Sequence, residues 1–182
     1  MKKVLVPLAP GFEELEAVTI IDLLRRAMID VTVAGLEEGA IKGSRGTRIL
    51  PDTLLANAMD SDYDMIVLPG GLPGADNLNS DSRIHDLLKK MSEKGQYIAA
   101  ICAAPKVLAT AGLLDNKEMT SYPGILSGIE VEGMHNNGKE VVVDGNVVTS
   151  RGPGTAMDFA LQLIQLLVGD EISRQVADGL QR

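Results

Sequence analysis

Apolar positions fall into two alternating kinds of run along the 182 residues. The first kind is short and continuous: Lys3–Leu8, Asp30–Ala34, Asp64–Leu68 and Tyr97–Ile101 are almost wholly apolar after their first residue. Continuous rather than alternating apolar character predicts strands covered on both faces. The second kind has helical spacing. Over Glu13–Met28, Ala17, Ile20, Ile21, Leu24 and Ala27 form one stripe while Asp22 and Arg25 face water. Ser80 or Asp81 caps a helix reaching about Lys94, and Ala103–Ala111 reads as a helix with Pro105 in its first turn. Pro153–Val168 and Asp170–Leu180 close the chain as two helices. Ile41–Asp62 is less regular, with strand pieces near Arg48 and a turn at Pro51-Asp52. Met119–Ser150 breaks into short β pieces, Glu140–Val143 and Val147–Ser150 among them.

Strands alternating with helices predict an α/β fold: a mostly parallel sheet with helices on both faces, in one domain over residues 1–182. Ligands of such sheets sit beyond the carboxyl ends of the strands. Three segments land on that edge: Ala9–Glu16, Pro69–Gly74 and Cys102. Cys102 is the only cysteine of the chain. It stands where a strand ends and a helix begins, among small residues that allow a sharp turn, as in a nucleophile elbow. Free amides there favour a thiolate, so a depressed thiol pKa is expected. The bland alternative is a buried structural cysteine; the convergence of three segments on one edge favours a site.

Glu13, Glu14 and Glu16 crowd the first turn of the first helix, which dipole compensation alone explains cheaply. Glu16, however, lies four residues before Ile20 on the buried stripe, whereas Glu14 aligns with Val18 and Asp22. A carboxyl forced toward the core stays protonated to higher pH and can donate a hydrogen bond to a thiolate; Glu13 is a weaker candidate on the same side. Gly70-Gly71 after a strand is either a tight turn or a pair of amides aimed at an oxyanion, with Gly71 and Ala103 as donors. No Gly-Lys-Ser/Thr follows, so it is not a phosphate loop. Of the two histidines, His85 reads as a solvated helix residue. His135 sits in a turn-rich loop from which it could reach the site.

A formal charge of −8 and a pI near 4.7 argue against nucleic acid, as does the absence of Trp. One cysteine with two distant histidines gives no metal-ligand spacing, so neither metal nor cofactor is expected. A lone cysteine also fits a reducing compartment. The apolar run after Met1-Lys2-Lys3 is broken at Pro7 and Pro10, too short for an export segment, and no membrane span is expected. A cytoplasmic protein is the reading.

Together, Ala9–Glu16, Arg25-Arg26-Ala27, Val31–Gly35, Leu68–Gly71, Ala99–Ala103 and Thr149–Thr155 resemble the ThiJ/PfpI superfamily, in the branch of the parkinsonism-associated protein deglycase. The likeness runs nearly end to end, and the last two segments at this separation are its most specific part. It implies a flavodoxin-like three-layer sandwich and a homodimer with Arg45 and Arg151 near the sites. It also implies that Cys102 is an oxidisable nucleophile, Glu16 its protonated partner, and Gly71 and Ala103 amide donors, with Gly70 beside them. The activities implied are a glutathione-independent glyoxalase making 2-hydroxy acids, a deglycase of methylglyoxal adducts, a peroxide sensor in which Cys102 becomes a sulfinate, and a chaperone-like role. Where many members of the branch place a histidine, this chain has Tyr122, a poor base but a good donor; either Tyr122 or His135 stands in for it. The residue after the cysteine is Ala103, not the histidine of the peptidase members. Peptidase and amidotransferase readings therefore lack their base.

Overall fold

In a computed structural model that describes residues 1–181, the elements run β1 (Lys3–Leu8), α1 (Glu14–Arg26), β2 (Asp30–Gly35), β3 (Ile41–Lys42), β4 (Arg48–Ile49), β5 (Thr53–Leu54), α2 (Leu55–Ala58) and β6 (Met65–Leu68). They continue with α3 (Gly74–Ser80), α4 (Ser82–Glu93), β7 (Tyr97–Ile101), α5 (Pro105–Thr110), β8 (Glu118–Met119), β9 (His135–Asn136), β10 (Val141–Asp144) and β11 (Val147–Ser150). A 3₁₀ turn (Pro153–Thr155) leads into α6 (Ala156–Val168) and α7 (Asp170–Gly179).

Seven strands form one sheet in the order β10-β11-β7-β6-β1-β2-β5. Its pairings are parallel except for the antiparallel β10–β11 hairpin. The pleat of β1 explains why its sequence shows no alternation. Val4, Val6 and Leu8 point into a core shared with α1, α6 and α7, including Ala17, Ile20, Leu24, Phe159 and Leu163. Leu5 points the other way, into a core with Ile66, Leu68, Leu87, Leu88, Val107 and Leu108. Both faces are covered beyond Lys3, so every later position is apolar. This is the flavodoxin-like α/β sandwich. Truncating one of the fully buried leucines, such as Leu24, costs about 2–5 kcal/mol.

The local departures have local causes. Helix α4 starts where expected because the Asp81 carboxylate accepts the Arg83 amide at 3.0 Å. The helix after Cys102 is shorter than its residues predict, because Cys102–Ala104 are spent on a turn before α5 begins. Helix α3 was not expected: Gly74-Ala75-Asp76-Asn77-Leu78-Asn79-Ser80 has low helix propensity, and burial of Ala75 and Leu78 holds it. No helix among the described residues is long and apolar enough to cross a membrane.

Candidate active site

Strand β7 delivers Cys102 to the sheet edge in a left-handed conformation, φ 63°. For a residue with a β-carbon that conformation costs on the order of 1–3 kcal/mol, so the surroundings must hold it. They do. The Cys102 amide donates to the Ser150 carbonyl at 2.9 Å, the Cys102 carbonyl accepts from the Tyr122 amide at 2.8 Å, and Ala104 N–H donates to Ile101 O at 3.0 Å. The elbow expected from the sequence is therefore present, and the side chain, 8% exposed, sits at the edge of the core where it lines a pocket.

The first turn of α1 brings Glu16 beneath it. Glu16 is fully buried; its Oε2 accepts the Gly70 amide at 2.8 Å, and its Oε1 has no hydrogen-bond partner of standard geometry. The thiol of Cys102 is the group that interacts with this carboxyl. Burial pushes the Glu16 carboxyl up from 4.5 to about 7, outweighing the opposing hydrogen bonds from Cys102 and Gly70, with a smaller push from the Glu13 charge. The position of Gly70 is dictated by this approach. A β-carbon there would lie 2.7 Å from Cys102 Cβ and 2.8 Å from Glu16 Oε2. Gly71, at φ 90°, also needs to be glycine, since a side chain would meet the Gly11 carbonyl at 2.6 Å.

The amides of Gly71 and Ala103 are directed at the Cys102 sulfur and favour its anion. They do not produce the depressed thiol pKa that the strand–helix junction predicts. Burial is the largest influence and the Glu16 charge the next. With Glu16 ionised, they push the thiol up to about 12. The helix that should have helped, α5, begins three residues further on. A low thiol pKa therefore requires Glu16 to carry a proton, which removes the neighbouring charge and turns the carboxyl into a donor. Below about 7 both groups are protonated; from there up to about 12 the pair holds one proton, and burial keeps it on the sulfur at rest.

Cys102 opens into a cavity of about 320 Å³. Gly71, Ala103 and Tyr122 line it as expected, together with Arg45 and Glu13. Ser44, Leu72, Ile125 and Pro153 complete the wall; Leu72 and Pro153 lie in the segments Pro69–Gly74 and Thr149–Thr155, whereas Ser44 and Ile125 carry no sequence signal. Arg45 and Ser44 ride on the loop 43–47. Glu14 clasps that loop, accepting the Arg45 amide at 2.8 Å and the Thr47 amide at 3.1 Å. Glu14 thus anchors a wall of the cavity instead of facing water. Arg151 does not reach this cavity; it lines an adjoining one, donates to the Gly138 carbonyl at 3.1 Å, and shares Tyr122 and Pro153 with the site as neighbours. His135 is not brought in: it is exposed on β9, with Nδ1 2.7 Å from Glu118 Oε1. His85 lies on α4, with Nε2 2.8 Å from the Asn79 carbonyl. No group of three or more His, Cys, Asp or Glu residues suited to a metal occurs among the described residues.

This arrangement can form a thiolate, hold an anionic adduct against two amides, and move a proton through one carboxyl. The profile of the DJ-1/PfpI family matches residues 2–166. Drosophila melanogaster protein dj-1beta is 49% identical over 180 residues, covering 98% of this chain and 96% of that protein. The crystal structure of Drosophila DJ-1beta superimposes with a TM-score of 0.94 at 48% identity, over 99% of this chain and 97% of that one. The Caenorhabditis elegans glutathione-independent glyoxalase DJR-1.2 is 35% identical over 171 residues, 93% of this chain and 91% of that protein. A structure described as Toxoplasma gondii DJ-1, oxidized, has a TM-score of 0.94 at 39% identity, over 100% of this chain and 98% of that one.

Proposed function

The chain belongs to the DJ-1/PfpI family, and on that premise we propose that it is a cofactor-independent glyoxalase converting 2-oxoaldehydes such as methylglyoxal to 2-hydroxy acids. The observation that carries the reading is the buried Glu16 carboxyl, held by the Gly70 amide and raised to about 7 beside the Cys102 sulfur. A group that titrates near the working pH is suited to give and take a proton.

In the reaction, Cys102 passes its proton to Glu16 and its sulfur adds to the aldehyde carbon. The amides of Gly71 and Ala103 hold the new oxyanion, which takes the proton from Glu16. The Glu16 carboxylate then removes the hydrogen on the sulfur-bearing carbon and returns it to the neighbouring carbon, while the hydroxyl proton of the first carbon passes to the former ketone oxygen. The hemithioacetal becomes the thioester of a 2-hydroxy acid with no net oxidation. Water releases lactate and regenerates the thiol. Removal of early methylglyoxal adducts from amines and thiols would draw on the same adduct or follow from scavenging of the free aldehyde. Neither histidine lines the cavity, which leaves Glu16 beneath the sulfur and Glu13 on the wall as the carboxyls near Cys102, and Tyr122 as a donor.

A second reading is favoured by the same donors: two amides and a protonated carboxyl around one sulfur also fit the oxygens of a sulfinate, as in a peroxide sensor. An oxidised structure of a relative supports it. The proposed setting for either role is cytoplasmic. The proposed assembly is a homodimer, in which the exposed Leu15, Val18 and Leu50 would be covered by a second copy.

The test is a dose-resolved lactate assay on methylglyoxal without glutathione, comparing the native chain with Cys102→Ala, beside intact mass after mild peroxide. Cysteine-dependent lactate formation supports the enzyme. Fast, selective gain of two oxygens with negligible turnover supports the sensor.

A further inference from the structure

Behind Tyr122 lies a second cavity of about 310 Å³, nearly the size of the one that holds Cys102. The two share only Tyr122 and Pro153 among their lining residues. Pro153 begins the 3₁₀ turn and its ring is short; the Tyr122 side chain, 51% exposed, is the larger shared group. The ring lies over Gly152, where an added β-carbon would come within 3.4 Å of Tyr122 Cδ2. That is ordinary van der Waals distance, and the ring packs against the Gly152 backbone between the two chambers. Beyond it the second chamber offers Arg151 and Glu140, as the first offers Arg45 and Glu13 beside Leu72 and Ile125.

The backbone that carries this ring is fixed independently of the ring. Tyr122 N–H donates to Cys102 O at 2.8 Å, and Ile125 N–H donates to Tyr122 O at 3.2 Å. Thr120 N–H donates to Thr149 Oγ1 on β11 at 2.9 Å, and the Asn136 side chain donates to Ser121 Oγ at 3.0 Å. Substituting the side chain therefore changes the space between the chambers and leaves the segment stitched to the nucleophile's own turn.

Resting on the glyoxalase reading for the chemistry at Cys102, we propose that Tyr122 is a specificity-determining residue. Its ring closes the Cys102 chamber against the second one and restricts the substrate to 2-oxoaldehydes with a small substituent. Removing the ring joins the chambers and admits aryl or branched substituents, which extend toward Arg151. A hydrophobic pocket discriminates by roughly 10–200-fold for a methylene-sized difference, so opening a chamber large enough for a phenyl ring should move selectivity by at least about tenfold.

The experiment compares kcat/KM for phenylglyoxal and methylglyoxal in the native chain, Tyr122→Ala and Tyr122→Phe, the ratio cancelling any loss of general activity. The expected result is a ratio raised about tenfold or more in Tyr122→Ala and unchanged in Tyr122→Phe, which keeps the ring and lacks the hydroxyl. A ratio unchanged in Tyr122→Ala, or raised equally in Tyr122→Phe, overturns the proposal. Alkylation of Cys102 by iodoacetamide and by N-phenylmaleimide reads the same wall without turnover. If the native chain turns over neither aldehyde, the glyoxalase reading fails. The wall then stands only if Tyr122→Ala selectively accelerates the bulky reagent, and it falls if both reagents change in parallel.

Discussion

Replacing Glu16 by Gln should alter the pH dependence of stability in a direction set by the raised pKa. In the folded protein the carboxyl binds its proton more tightly than in the unfolded chain, with pKa about 7 against 4.5. Below 4.5 it is protonated in both states and contributes nothing to pH dependence. As pH rises toward 7 the unfolded chain releases the proton first, so folding becomes less favourable; above 7 the full penalty is present. At about 1.4 kcal/mol per pH unit the penalty is roughly 3 kcal/mol. Gln has nearly the same volume, still accepts the Gly70 amide, and cannot ionise. The assay is urea unfolding of both chains at pH 4 and pH 8, at one protein and salt concentration, followed by circular dichroism. Carboxylates held below their usual range, such as Asp81 beside Arg83, give slopes of the opposite sign. Those slopes are common to both proteins and cancel in the difference. Between pH 4 and pH 8 the stability of Glu16→Gln relative to the native chain should rise by about 3 kcal/mol. A difference that does not vary with pH would refute the claim that Glu16 is a buried acid titrating near neutrality.

Three further outcomes follow from the same geometry. Gly70→Ala places a β-carbon within 2.8 Å of both Cys102 and Glu16; turnover should fall at least about 100-fold with a stability loss of about 1–3 kcal/mol, and near-native turnover would show that their close approach is not needed. Tyr122→His puts a group that titrates near neutral pH at the cavity wall and should raise kcat about tenfold; an unchanged kcat would mean that acid–base capacity does not limit the reaction. Light scattering at micromolar concentration should give about twice the 19.3 kDa chain mass, and a stable particle at the chain mass would contradict the homodimer.

The Cys102–Glu16 pair is legible because its signals are local. The uncharged run Tyr97–Ile101 ends at the only cysteine, and Glu16 sits on the buried stripe one helical turn before Ile20. Gly70 and Gly71 stand after a core strand whose position on the sheet edge follows from the parallel topology. What escaped depends on distant partners. Glu14 has the spacing of a solvated residue, yet the loop 43–47 folds back to bring two amides onto its carboxylate. Ile125 is an ordinary apolar residue made into cavity wall by segments far apart in sequence. His135 is near Tyr122 in the chain but pairs with Glu118 across β8 and β9, away from the cavity. The low thiol pKa expected from the strand–helix junction and a donating Glu16 carboxyl is not found. The left-handed turn at Cys102 displaces the helix start, and the Glu16 charge and burial outweigh the amides.

The central claim is that one proton is shared by Cys102 and Glu16 and that Glu16 moves it during turnover. The direct measurement is made on one preparation of Glu16→Gln and one of the native chain: the rate of Cys102 alkylation by iodoacetamide across pH 6–9, beside lactate formation from methylglyoxal at the same pH values. Gln removes the charge that pushes the thiol up, so alkylation should be as fast as in the native chain or faster, while lactate formation falls at least about 100-fold, within the range a positioned acid–base group supplies. Alkylation and turnover falling in parallel, or turnover surviving in Glu16→Gln, would contradict the account.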